Sequence, residues 1–382
     1  MPPTRILIAP NAFKHSLNAT DVALAIQEGL QNSRLDCVCE CFPVGDGGDG
    51  TGELMIQQLA GDRVSVDVND PFDRRITSSF GLVNNGETAI IELANASGIQ
   101  LVKPDELNPL RATSFGTGEL MKQALDKGVK KMVLAIGGSA TVDGGTGILR
   151  AVGVRFLDAS QNELTFPEDF IHLTQIDLAN LDPRLSTCEM TILCDVDNTL
   201  LGPEGSAAVF GPQKGATPEA VKKLDGSLAN LAQIARQQTG IDMAIVRHGG
   251  AAGGVAAGLH ALLNARLVNG IDFFLEFTGF INALANADVV ITGEGSLDEQ
   301  TLHGKGPFGV ASQAKTRQLP VIGLAGKIPL VPNEKMQPYF DVLLAIGNEP
   351  TDIGTALAHT RQNLVRAAEQ IGTLLAMTKK PG

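Results

Sequence analysis

Short β-branched and apolar runs, each with a stretch at helical spacing after it or nearby, occupy both ends of this chain and restrict it to a layered α/β fold. Residues 5–10 read as a buried strand, and Val22, Ile26 and Leu30 then recur at the helical period. Residues 36–42 form a second strand-like run, followed by a glycine-rich loop and a helical stretch from Leu54 to Leu59. Residues 288–292, 321–325 and 341–346 repeat the pattern near the other end. Strand, crossover and strand in this order imply a parallel sheet covered on both faces. The middle is different. Residues 76–83 and 87–93 flank Asn84-Asn85-Gly86, a hairpin signal that a purely parallel sheet does not supply. With 382 residues, two domains are expected. The reading is an α/β domain made from residues 1–65 and 284–382, with a mixed domain of residues 66–283 inserted, and no repeat of fixed period.

Composition narrows the function. Glycine is in excess, 43 of 382 residues or about 11% against a usual ~7%, and it is clustered, as tight loops between packed elements require. Thirty basic residues against 42 acidic ones give a formal charge of −12, which repels nucleic acid and anionic lipid. An anionic substrate then needs a locally basic pocket. The N-terminus shows no signal-peptide core and no run of 18 apolar residues occurs, so neither export nor a membrane span is expected. Five cysteines, an odd number in a long chain, fit reduced thiols and a cytoplasmic location.

Five segments carry small residues and charges after a strand or within a glycine cluster: residues 9–17, 43–51, 136–145, 210–216 and 292–305. Ligands of open α/β sheets gather outside the carboxyl ends of the strands. Glycine lets backbone N–H groups approach a phosphate, carboxylates beside such loops hold Mg²⁺ or act as bases, and Lys or Arg neutralises phosphate charge. Together the loops indicate a phosphate-handling site. The chain has no Gly-x-x-x-x-Gly-Lys-Ser/Thr and no His-Arg-Asp or Asp-Phe-Gly, which excludes P-loop NTPases and protein kinases.

Taken in order, these segments resemble the bacterial glycerate kinase family, type 1. The family's Ala-Pro-Asp-Ser-Phe-Lys-x-Ser-Leu is matched by residues 9–17, with Asn11 and Ala12 substituted. Pro-x-Ala-Asp-Gly-Gly-Glu-Gly-Thr is matched by residues 43–51, with Gly45 and Asp49 as departures. Residues 113–120, Gly137-Gly138-Ser139-Ala140-Thr141, Asp143-Gly144-Gly145, residues 210–216 and Thr292-Gly293-Glu294-Gly295 follow in the right order, with Asp298 and His303-Gly304-Lys305 beyond. The resemblance runs from residue 5 to about residue 370. It implies a flavodoxin-like domain from both chain ends and an inserted α/β domain resembling the restriction-endonuclease fold. It also implies ATP- and Mg²⁺-dependent phosphorylation of D-glycerate, with 2-phosphoglycerate as the product. Asn11 removes a carboxylate from the first loop, which shifts the acidic role to Asp46, Asp49, Glu294 and Asp298, the expected metal residues. Lys14, Lys305, Arg111 and Lys214 are expected at a cleft between the domains, with their individual roles open. Ser16, Gly137, Gly138, Ser139, Lys214 and His303 are the expected substrate or phosphate contacts, and Asp195 with Lys14, Lys305 and Arg111 the expected catalytic set.

Three patterns invite other readings. Cys37, Cys39 and Cys41 fall on one face of a strand and have no nearby His to complete a zinc set, so core packing is expected. Residues 191–200 end a strand in Asp195-x-Asp197-x-Thr199, like the nucleophile motif of haloacid-dehalogenase-type phosphatases. That superfamily normally opens its catalytic domain with the motif, whereas here some 190 residues precede it. Asp195 is therefore a base or positioning group for a hydroxyl, a carboxylate capping nearby N–H groups, or a phosphatase nucleophile. A non-catalytic solute binder, the third class, lacks support from an exported leader. The small-residue run 249–263, with His248 and His260, is either a helix start packed on a neighbour or an anion site, and His15, His172 and His359 are read as ordinary histidines.

Overall fold

The structure, a computed structural model, describes residues 2–302, 304–331 and 333–378. Among them the strands are, in chain order, β1 (Thr4–Ile8), β2 (Cys37–Cys41), β3 (Asp62–Asn69), β4 (Arg75–Val83) and β5 (Thr88–Glu92). They continue with β6 (Lys131–Ala135), β7 (Arg155–Leu157), β8 (Gln175–Asp177), β9 (Glu189–Cys194) and β10 (Arg266–Asn269). The last three are β11 (Val289–Ser296), β12 (Val321–Lys327) and β13 (Val342–Ala345). The chain divides into two compact units, one made of the residues up to Asp46 and from Ile271 onward, the other of Gly47–Gly270.

In the first unit the sheet runs β13-β12-β11-β1-β2 and every pair is parallel. Numbered within the unit this is the order 2-1-3-4-5 of one class of doubly wound sheets. The helix Ala19–Asn32 starts where the Asn18 side chain accepts from the Asp21 N–H at 2.8 Å. Val22, Ile26 and Leu30 are buried with Ile6, Ile8 and Ile291 in one core, as their spacing requires. Cys37, Cys39 and Cys41 pack half-buried against that core, and burial pushes the Cys39 thiol up to about 12. Their contacts with that apolar core are those of small packing groups.

The second unit holds a six-stranded mixed sheet, β10-β9-β6-β5-β4-β3. β3, β4 and β5 form an antiparallel meander, while β5, β6, β9 and β10 are parallel. The expected hairpin is present. Asn84, Asn85 and Gly86 all take positive φ between β4 and β5, a conformation that Asn and Gly reach more readily than other residues. A small β7–β8 ladder is separate.

The units divide at Asp46/Gly47 and Gly270/Ile271, where the sequence reading had set 65/66 and 283/284. The helix Thr51–Gln58 packs on the mixed sheet: Ile56 lies against Gly81, and Gly52 against Ile90 and Glu92. At the other junction Phe280 meets Phe42 edge-on at 5.2 Å between ring centres, and Ile271 packs on Gly309. Apolar side chains on these short helices, rather than changes in composition, decide where each unit ends.

Candidate active site

Four of the five expected loops lie at the carboxyl ends of parallel strands, while residues 210–216 begin at the end of the helix Ser206–Phe210. In the first unit the loop after β1 carries Asn11, whose side-chain Nδ2 donates to Asp46 Oδ2 at 2.8 Å. The Gly306 N–H, at the start of the helix Gly306–Thr316, approaches the same oxygen at 3.4 Å. Asp46 is half-buried and held by an amide and a helix start. Glu294, on β11, is 8% exposed, and its Oε1 accepts from Thr301 Oγ1 at 3.2 Å. Burial pushes its carboxyl up to about 7; the charges of Lys305 and Lys14 oppose this and that of Asp46 adds to it. Asn11, Lys14, Asp46, Glu294 and Lys305 therefore form one cluster of anions and cations at the strand ends.

Two expected residues are engaged locally. Asp298 accepts from Ser296 Oγ at 3.2 Å and from the Gln300 N–H at 2.9 Å, stitching its own turn. Ser16 Oγ donates to the Leu357 carbonyl at 2.7 Å, so its hydrogen is spent inside the unit. His303 lies outside the described residues.

In the second unit the loop from Gly47 to Thr51 lies across three strand ends. A Cβ on Gly47 would stand 3.3 Å from the backbone of Leu193 and Cys194 at the end of β9. Gly137, just after β6, comes so close to Gly48 and Asp49 that a Cβ there would sit 2.5 Å from the Asp49 nitrogen. Glycine at 137 is a steric requirement of this crossing. At the end of β5, Glu92 accepts from the N–H groups of Gly50 and Glu53, which begin the helix Thr51–Gln58. Burial, and next the charge of Asp49, push the Glu92 carboxyl up to about 7. The sequence reading missed Glu92. Its signal was a lone carboxylate closing the apolar run of β5.

The loop after β6 is built around two buried charges. Asp143 accepts from the Ser114 N–H at 2.8 Å, Ser114 Oγ at 2.7 Å, the Gly145 N–H at 3.0 Å and the Gly147 N–H at 3.2 Å. This explains Asp143-Gly144-Gly145 as an architectural motif. Lys214, only 2% exposed, donates to Ser139 Oγ and to the Thr141 carbonyl, both at 2.7 Å. Burial drives its ammonium down to about 7, and the charge of Asp143 resists. Lys214 and Ser139, expected at the site from sequence, are thus bonded to each other.

Asp195 follows β9 and is exposed, while Asp197 pairs with Arg247 at 3.0 Å on the surface. Arg111 pairs with Glu168 at 3.4 Å and lies over the Phe166 ring at 3.5 Å from its centre. His248 Nδ1 donates to the Val196 carbonyl at 2.7 Å. The small residues of 249–263 answer close backbone packing: a Cβ on Gly258 would be 1.9 Å from the Gly144 carbonyl oxygen, and one on Gly253 would be 2.0 Å from that of Thr141. Among the described residues no group of three or more His, Cys, Asp or Glu is arranged to hold a metal, and no helix is long and apolar enough to cross a membrane.

Glycine loops at the ends of parallel strands, with buried carboxylates and lysines beside them, define an α/β protein of the phosphoryl-handling class. The pattern of the "Glycerate kinase family" matches residues 6–376. The chain is 41% identical to "Glycerate kinase" of Haemophilus influenzae over 373 residues, covering 97% of this chain and 99% of that one. It is 39% identical to "Glycerate 2-kinase" of Escherichia coli over 378 residues, 98% of each. A crystal structure from Salmonella typhimurium LT2, of a protein assigned as glycerate kinase 2, superposes with a TM-score of 0.84 at 40% identity, covering 99% of this chain and 100% of that one. This chain belongs to the glycerate kinase family, a family of phosphotransferases. Nothing in these matches supports the dehalogenase-type alternative.

Proposed function

We propose that the protein is an ATP-dependent glycerate kinase that transfers the γ-phosphoryl group to D-glycerate, giving 2-phosphoglycerate. The observation that carries this reading is the match along nearly the whole chain to proteins bearing that name, one of them a glycerate 2-kinase.

The chemistry of the strand-end groups agrees. Lys14 and Lys305, close enough to Glu294 to act on its ionisation, are the cations that would neutralise phosphate charge as it builds on transfer. Asp195 is the candidate to accept or orient the proton of the attacking hydroxyl. Arg111 is the candidate for the carboxylate of glycerate, because its guanidinium offers paired donors to such a group. Asp46 and Glu294 suit Mg²⁺: two hard carboxylates lie near enough for the charge of one to raise the other, and Mg²⁺ ordinarily takes one or two carboxylates and leaves the rest of its shell to water and phosphate oxygens. When bound, the ion would neutralise phosphate charge during transfer. The strand order of the first unit supports its assignment as flavodoxin-like.

The test is a coupled assay for ADP formation. Release should require D-glycerate and a divalent cation together. Nucleotide consumption indifferent to glycerate, or none, refutes the reading.

A further inference from the structure

Lys214 is one of the expected site cations, yet its ammonium faces inward. Its side chain is 2% exposed and its charge sits beside Asp143, whose own oxygens already accept four hydrogen bonds. Two ammonium hydrogens go to Ser139 Oγ and the Thr141 carbonyl, both at 2.7 Å. An ammonium has no lone pair, so it can only donate. Ser139 Oγ must accept from it, and the single hydroxyl hydrogen of Ser139 must point elsewhere. Ser139 is 8% exposed, in the glycine loop at the end of β6 that packs against Gly48 and Asp49. A second hydroxyl in the same loop, Thr141 Oγ1, is fully buried and has no hydrogen-bond partner.

We infer that Lys214 is a positioning residue: it does not touch the substrate but donates to Ser139 Oγ, which turns the hydroxyl hydrogen away from the ammonium and presents it to a substrate oxyanion. The inference rests on the kinase reading, which supplies two oxyanions, the nucleotide phosphates and the glycerate carboxylate. It replaces the expectation that Lys214 binds phosphate directly. A charged donor behind the hydroxyl also strengthens the bond the hydroxyl gives. If Lys214 loses its proton, the neutral amine can accept from Ser139, and the hydroxyl is free to turn inward. Asp143 is the charged group that opposes this loss.

The experiment is a double-mutant cycle with Lys214→Met and Ser139→Ala, read as apparent Kd for inorganic tripolyphosphate and for D-glycerate, and as kcat and KM. Each single variant should weaken one probe about 10-fold or more, in line with loss of a charge-assisted hydrogen bond. The double variant should be no weaker than the worse single one. The affected probe identifies the oxyanion. Multiplying effects, or a loss in Lys214→Met that persists in full when Ser139 is already Ala, overturn the inference. Should Lys214→Met fail to fold, the wild type and Ser139→Ala are titrated alone. Between pH 6 and 9 the advantage of the wild type should shrink for the affected probe, because ionisation of the probe is common to both proteins. A constant ratio overturns the inference. A wild type without glycerate-dependent turnover would instead sink the kinase reading, whatever the cycle shows.

Discussion

Replacing Glu92 with Gln tests the charge arrangement beneath the loop Gly47–Thr51. Glu92 accepts from the N–H groups of Gly50 and Glu53 while buried beside Asp49, and its carboxyl is pushed from about 4.5 to about 7. A displacement of that size corresponds to about 3 kcal/mol between the two protonation states. The sign follows from linkage. Below pH 4.5 both folded and unfolded chains keep the proton and no penalty exists. Between 4.5 and 7 the unfolded chain releases it while the folded chain holds it, so stability falls as pH rises. Above 7 the cost is fully present. Glu92→Gln removes the charge and retains one acceptor, so its stability relative to the wild type should improve by up to about 3 kcal/mol between pH 4.5 and pH 8. Denaturant unfolding of both proteins at each pH reads the difference, in which titrations elsewhere cancel. A difference independent of pH, or one favouring the wild type as pH rises, would mean that Glu92 carries no buried-charge cost.

Asp46→Asn should cut turnover at least 10-fold and raise the Mg²⁺ concentration needed for half-maximal rate, with the thermal midpoint nearly unchanged; metal-dependent kinetics and a melting curve check both. Gly258→Ala would drive a methyl group to within 1.9 Å of the Gly144 carbonyl oxygen, so it should cost about 3 kcal/mol or prevent folding, as thermal melting would show. Asp195→Asn should abolish most turnover with nucleotide binding intact, measured by calorimetry. A loss of stability alone would make Asp195 a cap, and a phosphorylated Asp195 in the wild type would make it a nucleophile.

The alternation of apolar runs with helical periods was enough to read the parallel sheet formed by both chain ends, because buried strands and amphipathic helices leave distinct periods. Asn84-Asn85-Gly86 marked the hairpin for a local reason, its positive φ values. The junctions were not legible. They depend on which sheet Ile56 and Phe280 pack against, and an apolar residue does not name its partner. Site residues divided in the same way. Asp46, Glu294 and the loop 137–139 stood out because glycine and charge cluster there. Lys214 read as a cleft cation in contact with substrate or phosphate, and only the tertiary fold shows it buried on Ser139. Glu92 passed as one residue within the strand-like run 87–93, since its value lies in the loop folded over it. Asp143 looked like chemistry in a glycine motif and proves to hold together Ser114, Gly145 and Gly147.

Phosphorus NMR of the reaction of the purified protein with ATP, Mg²⁺ and D-glycerate reads the transfer and its product together. The γ-phosphorus signal should be replaced by a phosphomonoester coupled to a single proton, the signature of an ester on the C2 oxygen. Coupling to two protons would place the ester on the C3 oxygen and contradict the product. Inorganic phosphate alone, formed with or without glycerate, would contradict the kinase assignment itself.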